Sequence, residues 1–130
     1  MHDCIFCKII AGEIQSQRVY EDEYVCAFRD ITPQAPVHIL IVPREHIISA
    51  AELTEGNSYL AAKCYEAAAK IAASENLRGG FRVITNAGPD GGQTVPHLHF
   101  HLLGGGPLGP GLVQKTKTLQ FMDNRNNGTI

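Results

Sequence analysis

His97-Leu98-His99-Phe100-His101-Leu102-Leu103 is the stretch on which the reading of this chain turns. Its histidines fall at every second position, with apolar residues between them. Strand side chains alternate between faces, so His97, His99 and His101 would line one side while Leu98, Phe100 and Leu102 enter a core on the other. The stretch therefore predicts a strand over His97 to Leu103 carrying imidazoles spaced by about 7 Å, close enough for two of them to contact one small anion such as phosphate. Imidazole is nucleophilic when neutral, and when charged it gives up protons and stabilises negative charge. A solvated face or an incidental metal site would explain a lone histidine. Three at alternate positions, directly after a glycine-rich loop, are harder to place that way.

That loop, Asn86-Ala-Gly-Pro-Asp-Gly-Gly-Gln-Thr94, joins the histidine row to a preceding strand over Phe81 to Thr85. Gly88, Gly91 and Gly92 can take conformations closed to other residues and aim backbone N–H groups at an anion, while Asn86, Gln93 and Thr94 add neutral donors. No Gly-Lys-Ser/Thr follows, so this is not a Walker loop. Glycine richness alone would mean only a turn; beside the histidines it reads as the second half of a phosphate site.

Working outward, Arg18 to Glu21 and Tyr24 to Phe28 are β-prone stretches that predict a hairpin. Val37 to Val42 is a continuous apolar run stopped by Pro43, which predicts a central strand buried on both faces. Ser49-Ala-Ala-Glu52 has capping-box spacing. Between Ser58 and Glu75, Leu60, Ala61, Cys64, Ala67, Ala68, Ile71 and Ala72 recur at intervals of three and four, the mark of an amphipathic helix with one buried stripe. Asn76 and Gly79-Gly80 end it. Cys4 to Ile10 is long enough for one or two helical turns. Strands joined by short connections, with one long helix among them, predict an α+β fold built on an antiparallel sheet.

The chain has 130 residues, 44% of them hydrophobic, which is sufficient for one compact domain. Its 11 basic and 13 acidic residues give a net charge of −2, so no broad positive surface is expected to hold polymeric nucleic acid. No apolar stretch reaches the roughly 20 residues of a membrane span, and Met1-His2-Asp3-Cys4 lacks signal-peptide character. Of the four cysteines, Cys26 and Cys64 lie inside apolar periodic segments as small hydrophobes, which makes a disulfide framework improbable and agrees with a cytoplasmic location.

The histidine string resembles the signature of the histidine triad superfamily of nucleotide hydrolases and transferases. Asp30-Ile-Thr-Pro-Gln-Ala-Pro-Val-His38, the segment from Asn86 to Thr94, and Leu103-Gly-Gly-Gly-Pro-Leu-Gly-Pro110 resemble its nucleoside phosphoramidase (Hint) branch in particular. The likeness runs from about Cys4 to Lys115, which implies a catalytic domain over 1–115 followed by a C-terminal extension over 116–130. It implies a five-stranded antiparallel sheet with one long helix and a short N-terminal helix, extended by dimerisation. It also implies that His99 attacks the α-phosphate of a purine nucleoside phosphoramidate to form a nucleotidyl-histidine that water hydrolyses, with no cofactor needed for the chemistry. His101 would bind phosphate and help protonate the leaving nitrogen, and His97 and His38 would orient their neighbours. Asp30 is implied as the ribose-binding acid, and Ile5, Phe6, Ile9, Phe28, Ile31 and Leu40 as the base pocket. Read without the resemblance, Asp30 is equally a turn residue before Pro33, and the apolar six are equally core. Dinucleoside polyphosphate hydrolysis, or a regulatory module that binds nucleotide without catalysis, are the alternatives; His101, where transferases carry glutamine, speaks against transfer.

Cys4-Ile-Phe-Cys7 has the two-residue gap of zinc knuckles, and a tetrahedral site would need two more ligands. His46 and His97 are the candidates. The resemblance to bacterial members with the same Cys-x-x-Cys start implies a structural zinc on these four residues. Two unpaired structural thiols are the plain alternative. Thioredoxin-like redox chemistry is disfavoured because no strand precedes the pair.

Overall fold

A computed structural model describes residues 3–112. The proposed extension over 116–130 lies outside them. The elements are α1 (Ile5–Ile10), β1 (Arg18–Glu21), β2 (Val25–Arg29), β3 (Val37–Pro43), a 3-10 turn (Ala50–Glu52), α2 (Tyr59–Ser74), β4 (Phe81–Ile84) and β5 (Phe100–Gly104). The five strands form one sheet in the order β1-β2-β3-β5-β4, and every neighbouring pair is antiparallel. The α+β architecture predicted from the sequence is therefore the one observed.

Alternation in the strands sorts the residues between two layers. Val25, Ala27, Ile39, Ile41, Leu98, Phe100 and Leu102 face α2, where they meet Leu60, Cys64, Ala67, Ala68, Ile71 and Ala72 in the main core. Small residues on that helix stripe let it lie close to the sheet, and each alanine costs no side-chain entropy. The intervening residues Cys26, Phe28, Leu40 and Val42 face the other way and pack against Cys4, Phe6 and Ile9 of the α1 segment. β3 is buried along nearly its whole length because helices cover both of its faces.

One boundary differs from the sequence reading. β5 begins at Phe100, three residues later than the predicted His97. Its ladder with β3 ends at Ile41↔Phe100, and its ladder with β4 ends at Ile84↔His101. Before that point the chain has run past its strand partners, and its backbone is tied otherwise: Leu98 N–H donates to the Ile47 carbonyl at 2.6 Å. Thr85 Oγ donates to the His99 carbonyl at 2.7 Å. The side-chain alternation survives, with Leu98 wholly buried in the α2 core, but His97 and His99 gain freedom to point in separate directions. The Ser49 side chain does cap the turn that follows it, accepting from Ala51 N–H, whereas Glu52 reaches the Ile48 amide rather than that of Ser49.

Candidate active site

His99 lies on the α1 face of the sheet beside His101, their ring centroids 5.1 Å apart, with the Phe6 ring edge-on at 5.0 Å. Its Nδ1 is 2.7 Å from the His97 carbonyl oxygen. A carbonyl only accepts, so Nδ1 carries the ring proton and Nε2 keeps the lone pair. The tautomer that leaves the Nε2 lone pair free is thus fixed by backbone.

A second chain of bonds fixes His101. Gln34 N–H donates to His38 Nδ1 at 3.0 Å, so His38 carries its proton on Nε2. That atom faces His101 Nδ1 at 2.9 Å and Asp30 Oδ2 at 3.5 Å. His101 Nδ1 therefore accepts, and its own proton sits on Nε2, free to donate a hydrogen bond. The same logic counts against a metal ion between Asp30, His38 and His101, although their ligand atoms cluster. With Nδ1 of His38 taken by an amide, binding a cation at Nε2 would require the imidazolate. Burial holds His38 below the usual imidazole range, against the opposing pull of Asp30. Burial, with the neighbouring His99 and His38, pushes His101 down to about 4.

Asp30 closes the turn that one of its two readings requires. Its Oδ1 accepts from Thr32 N–H at 2.8 Å, a side-chain-closed turn, while its other oxygen faces His38. Of the apolar six, Phe6, Ile9, Phe28 and Leu40 are buried together, Ile5 is half-exposed, and Ile31 is 97% exposed. The structure thus brings four of them together as core and leaves Ile31 standing in solvent.

The glycine-rich loop is organised differently from the expected cradle. Gly92 N–H donates to the Pro89 carbonyl at 3.0 Å and Gln93 N–H to the Gly88 carbonyl at 3.1 Å, so these two amides close the loop on itself. The Gln93 side chain is spent as well. It accepts from Gly88 N–H at 2.9 Å and donates to the carbonyls of Ile48 at 2.6 Å and Val95 at 2.9 Å. Gln93 is thus a brace for the loop, while Thr94 is exposed and Asn86 half-buried. Gly91 is required by close approach, because a Cβ there would meet the Ala87 carbonyl oxygen at 2.5 Å.

His97 turns away from its two companions. Its ring is fully buried, with Nε2 2.9 Å from the Pro43 carbonyl oxygen, so Nε2 is protonated and the Nδ1 lone pair points inward. Burial, with His46 and His99 nearby, pushes its pKa down to about 4. Around Nδ1 stand Cys4 Sγ at 3.4 Å, Cys7 Sγ at 3.6 Å and His46 Nδ1 at 3.1 Å, and Cys7 Sγ is 3.3 Å from His46 Nδ1. A zinc tetrahedron with bonds of about 2.3 Å to sulfur and about 2.0 Å to nitrogen has edges of about 3.3 Å between nitrogens and about 3.5 Å between nitrogen and sulfur. The four side chains already stand at close to those separations, and the Pro43 carbonyl supplies the outer partner that a ligating histidine normally has. Three groups converging on one lone pair make better sense around a cation than as hydrogen bonds among themselves. Burial and the adjacent Cys4 raise the Cys7 thiol.

The partners that fix the tautomers were missed in the sequence: the carbonyls of His97 and Pro43 and the amide of Gln34 are backbone atoms, which every residue has. A wider hollow of about 500 Å³, lined by Asn76–Gly80 and Gly105–Pro107, lies at the far end of β5 from His99. Arg78 is its only charged side chain.

The HIT domain family model matches residues 11–108. Among curated proteins, the purine nucleoside phosphoramidase of Escherichia coli K12 is 47% identical over 114 residues, which cover 87% of this chain and 96% of the relative. A protein of Brassica juncea named 14 kDa zinc-binding protein is 47% identical over 105 residues, 79% of this chain and 93% of the relative. Among solved structures, a HIT family hydrolase from Clostridium thermocellum superposes with a TM-score of 0.85 at 47% identity, covering 87% of this chain and 99% of that one. The histidine row, the fold and the matched span agree: this chain belongs to the HIT domain family.

Proposed function

We propose that the protein is a hydrolase that cleaves the P–N bond of purine nucleoside phosphoramidates through a nucleotidyl-His99 intermediate. The observation that carries this reading is the pair of opposite tautomers on adjacent rings: His99 presents a lone pair on Nε2, while His101 presents a proton on Nε2. A nucleophile beside a hydrogen-bond donor is what displacement of an amine from phosphorus needs. His99 Nε2 forms the bond to the α-phosphorus as the P–N bond breaks, His101 Nε2–H donates a hydrogen bond to the phosphate and leaving group, and the leaving nitrogen takes its proton from solvent. Water then attacks the phosphorus, returning one proton to solvent and releasing a nucleoside monophosphate and free His99. Asp30 takes the ribose hydroxyls, and Thr94 and Asn86 flank the phosphate. The similarity to a protein named purine nucleoside phosphoramidase supports this substrate class over dinucleoside polyphosphates.

Cys4, Cys7, His46 and His97 hold a structural zinc in this reading, supported by their separations and by the relative named for zinc binding. A bound zinc would tie the start of α1 to the histidine segment and supply no step of the reaction. The domain spans 1–115. β4 is an edge strand with a half-exposed Phe81, which suits pairing with a second copy to extend the sheet. Among the described residues no helix is long and apolar enough to cross a membrane.

The test compares wild type and His99→Ala on adenosine 5′-phosphoramidate and on a dinucleoside tetraphosphate. The reading expects adenylate release from the phosphoramidate by wild type only. It fails if the two proteins act alike, or if only the polyphosphate is cut.

A further inference from the structure

Cys4 and Cys7 flank Phe6 in sequence, and all three converge on the histidine segment. The Phe6 ring packs edge-on against both His97, at 5.9 Å, and His99, at 5.0 Å. His97 has a double attachment: its ring meets both sulfurs, and its carbonyl holds His99 Nδ1–H at 2.7 Å. The thiols and the candidate nucleophile are therefore linked twice, through a side chain and through a backbone carbonyl. The two sulfurs lie within 4.8 Å of each other. A cavity of about 370 Å³, lined in part by Asp3, Cys4, Ile5 and His46, leads from solvent to this cluster, and Cys7 is half-buried rather than sealed.

We propose that Cys4 and Cys7 are an oxidation site, closed to a disulfide by hydroperoxides, and that its closure slows the hydrolase by loosening the support of His99. The inference rests on the reading of His99 given above. The Cys4 sulfur, which lines that cavity and accepts from the Cys7 amide, attacks one peroxide oxygen, the O–O bond breaks, and a sulfenic acid and one water result. The Cys7 sulfur then displaces hydroxide from that sulfenic acid, forming the S–S bond and, with a proton, a second water. Two electrons leave the two sulfurs and one hydrogen peroxide becomes two waters; the two protons come from the thiols in metal-free protein, and from solvent where zinc had held the sulfurs as thiolates and is released. An S–S bond of about 2.05 Å draws the sulfurs toward each other and off the imidazoles, which removes two of the four metal donors. It also shifts the turn that carries Phe6. The sequence argument against thioredoxin-like catalysis is untouched, because the pair here acts on its own neighbour rather than on a substrate.

The experiment treats zinc-loaded protein with hydrogen peroxide and follows three quantities: the mass of the peptide holding Cys4 and Cys7, zinc captured by a chromophoric chelator, and the rate on adenosine 5′-phosphoramidate. The expected result is a peptide lighter by two hydrogens, zinc released in step with it, and kcat lower by about tenfold, the order expected when one supporting hydrogen bond is lost. Dithiothreitol with added zinc restores all three, and peroxide leaves the rate of Cys7→Ser where it was before treatment. A disulfide that forms without change in kcat overturns the proposal, as does an equal peroxide loss in Cys7→Ser. His99→Ala is carried alongside for mass and zinc. If that variant keeps wild-type activity, the hydrolase reading itself has failed, an outcome separable from thiol chemistry that proceeds without affecting the rate.

Discussion

His38 Nε2 stands 2.9 Å from His101 Nδ1, and the amide of Gln34, 3.0 Å from His38 Nδ1 on the opposite side, decides which of the two rings donates. Orientation passes from a backbone N–H through one imidazole to the next and emerges as a proton on His101 Nε2. Removing the middle member should cost turnover more than binding. His38→Ala is expected to lower kcat by about 10- to 100-fold with KM changed little, and His38→Asn, which can still donate from its amide, to recover part of the loss. Steady-state kinetics on the phosphoramidate measures this; a change confined to KM would contradict it.

Burial also makes the pair sensitive to acid. His101 is pushed down to about 4 in the fold, against an ordinary value of 6.5, and His38 is also lowered. Between those two pH values the unfolded chain binds more protons than the folded one, so stability falls as pH drops from about 6.5 toward 4. His101→Gln should remove on the order of 1 kcal/mol of that pH-dependent loss, a figure discounted for partial solvent screening. Thermal melts of both proteins between pH 7 and pH 4.5 test it, and parallel curves would count against the assignment.

Gln93 braces the loop with three side-chain hydrogen bonds, one accepted and two donated. Gln93→Ala is expected to destabilise the fold by about 1–3 kcal/mol and to raise KM, since the loop flanks the proposed phosphate site. Gln93→Glu should be no better, because a carboxylate cannot donate to the Ile48 and Val95 carbonyls. Denaturant melts and KM values measure both effects.

The thiol and imidazole cluster predicts one zinc per chain by elemental analysis. Chelation should lower the melting temperature, because a ligand that binds only the folded state stabilises it by mass action. Cys4→Ser should reduce both the metal content and the chelator response. Zinc near zero in protein never exposed to chelator would reject the site.

Much of this was legible in the sequence because side-chain periodicity reports burial directly. The three-and-four spacing from Leu60 to Ala72 gave α2 and its buried face, and the apolar run from Val37 gave the central strand. The alternation of Leu98, Phe100 and Leu102 placed the histidines on the opposite face. The start of β5 could not be read, because it depends on where β3 and β4 stop offering partners, a tertiary fact. For the same reason His97 was legible both as a member of the row and as a metal ligand. Only its bond to the Pro43 carbonyl and its distances to Cys4, Cys7 and His46 separate its ring from that of His99. The Gly88 and Gly92 amides and the Gln93 side chain, read from the sequence as donors to an anion, are engaged inside the loop because a loop this tight must first satisfy its own backbone.

The most direct test of the central claim is to trap the covalent intermediate. Protein mixed with adenosine 5′-phosphoramidate labelled in the α-phosphate is quenched in alkali within a single turnover and digested. The account predicts label on the peptide spanning 97–101, bonded to His99, and none in His99→Ala. Label on another residue, or turnover with no label retained at any time, would contradict it.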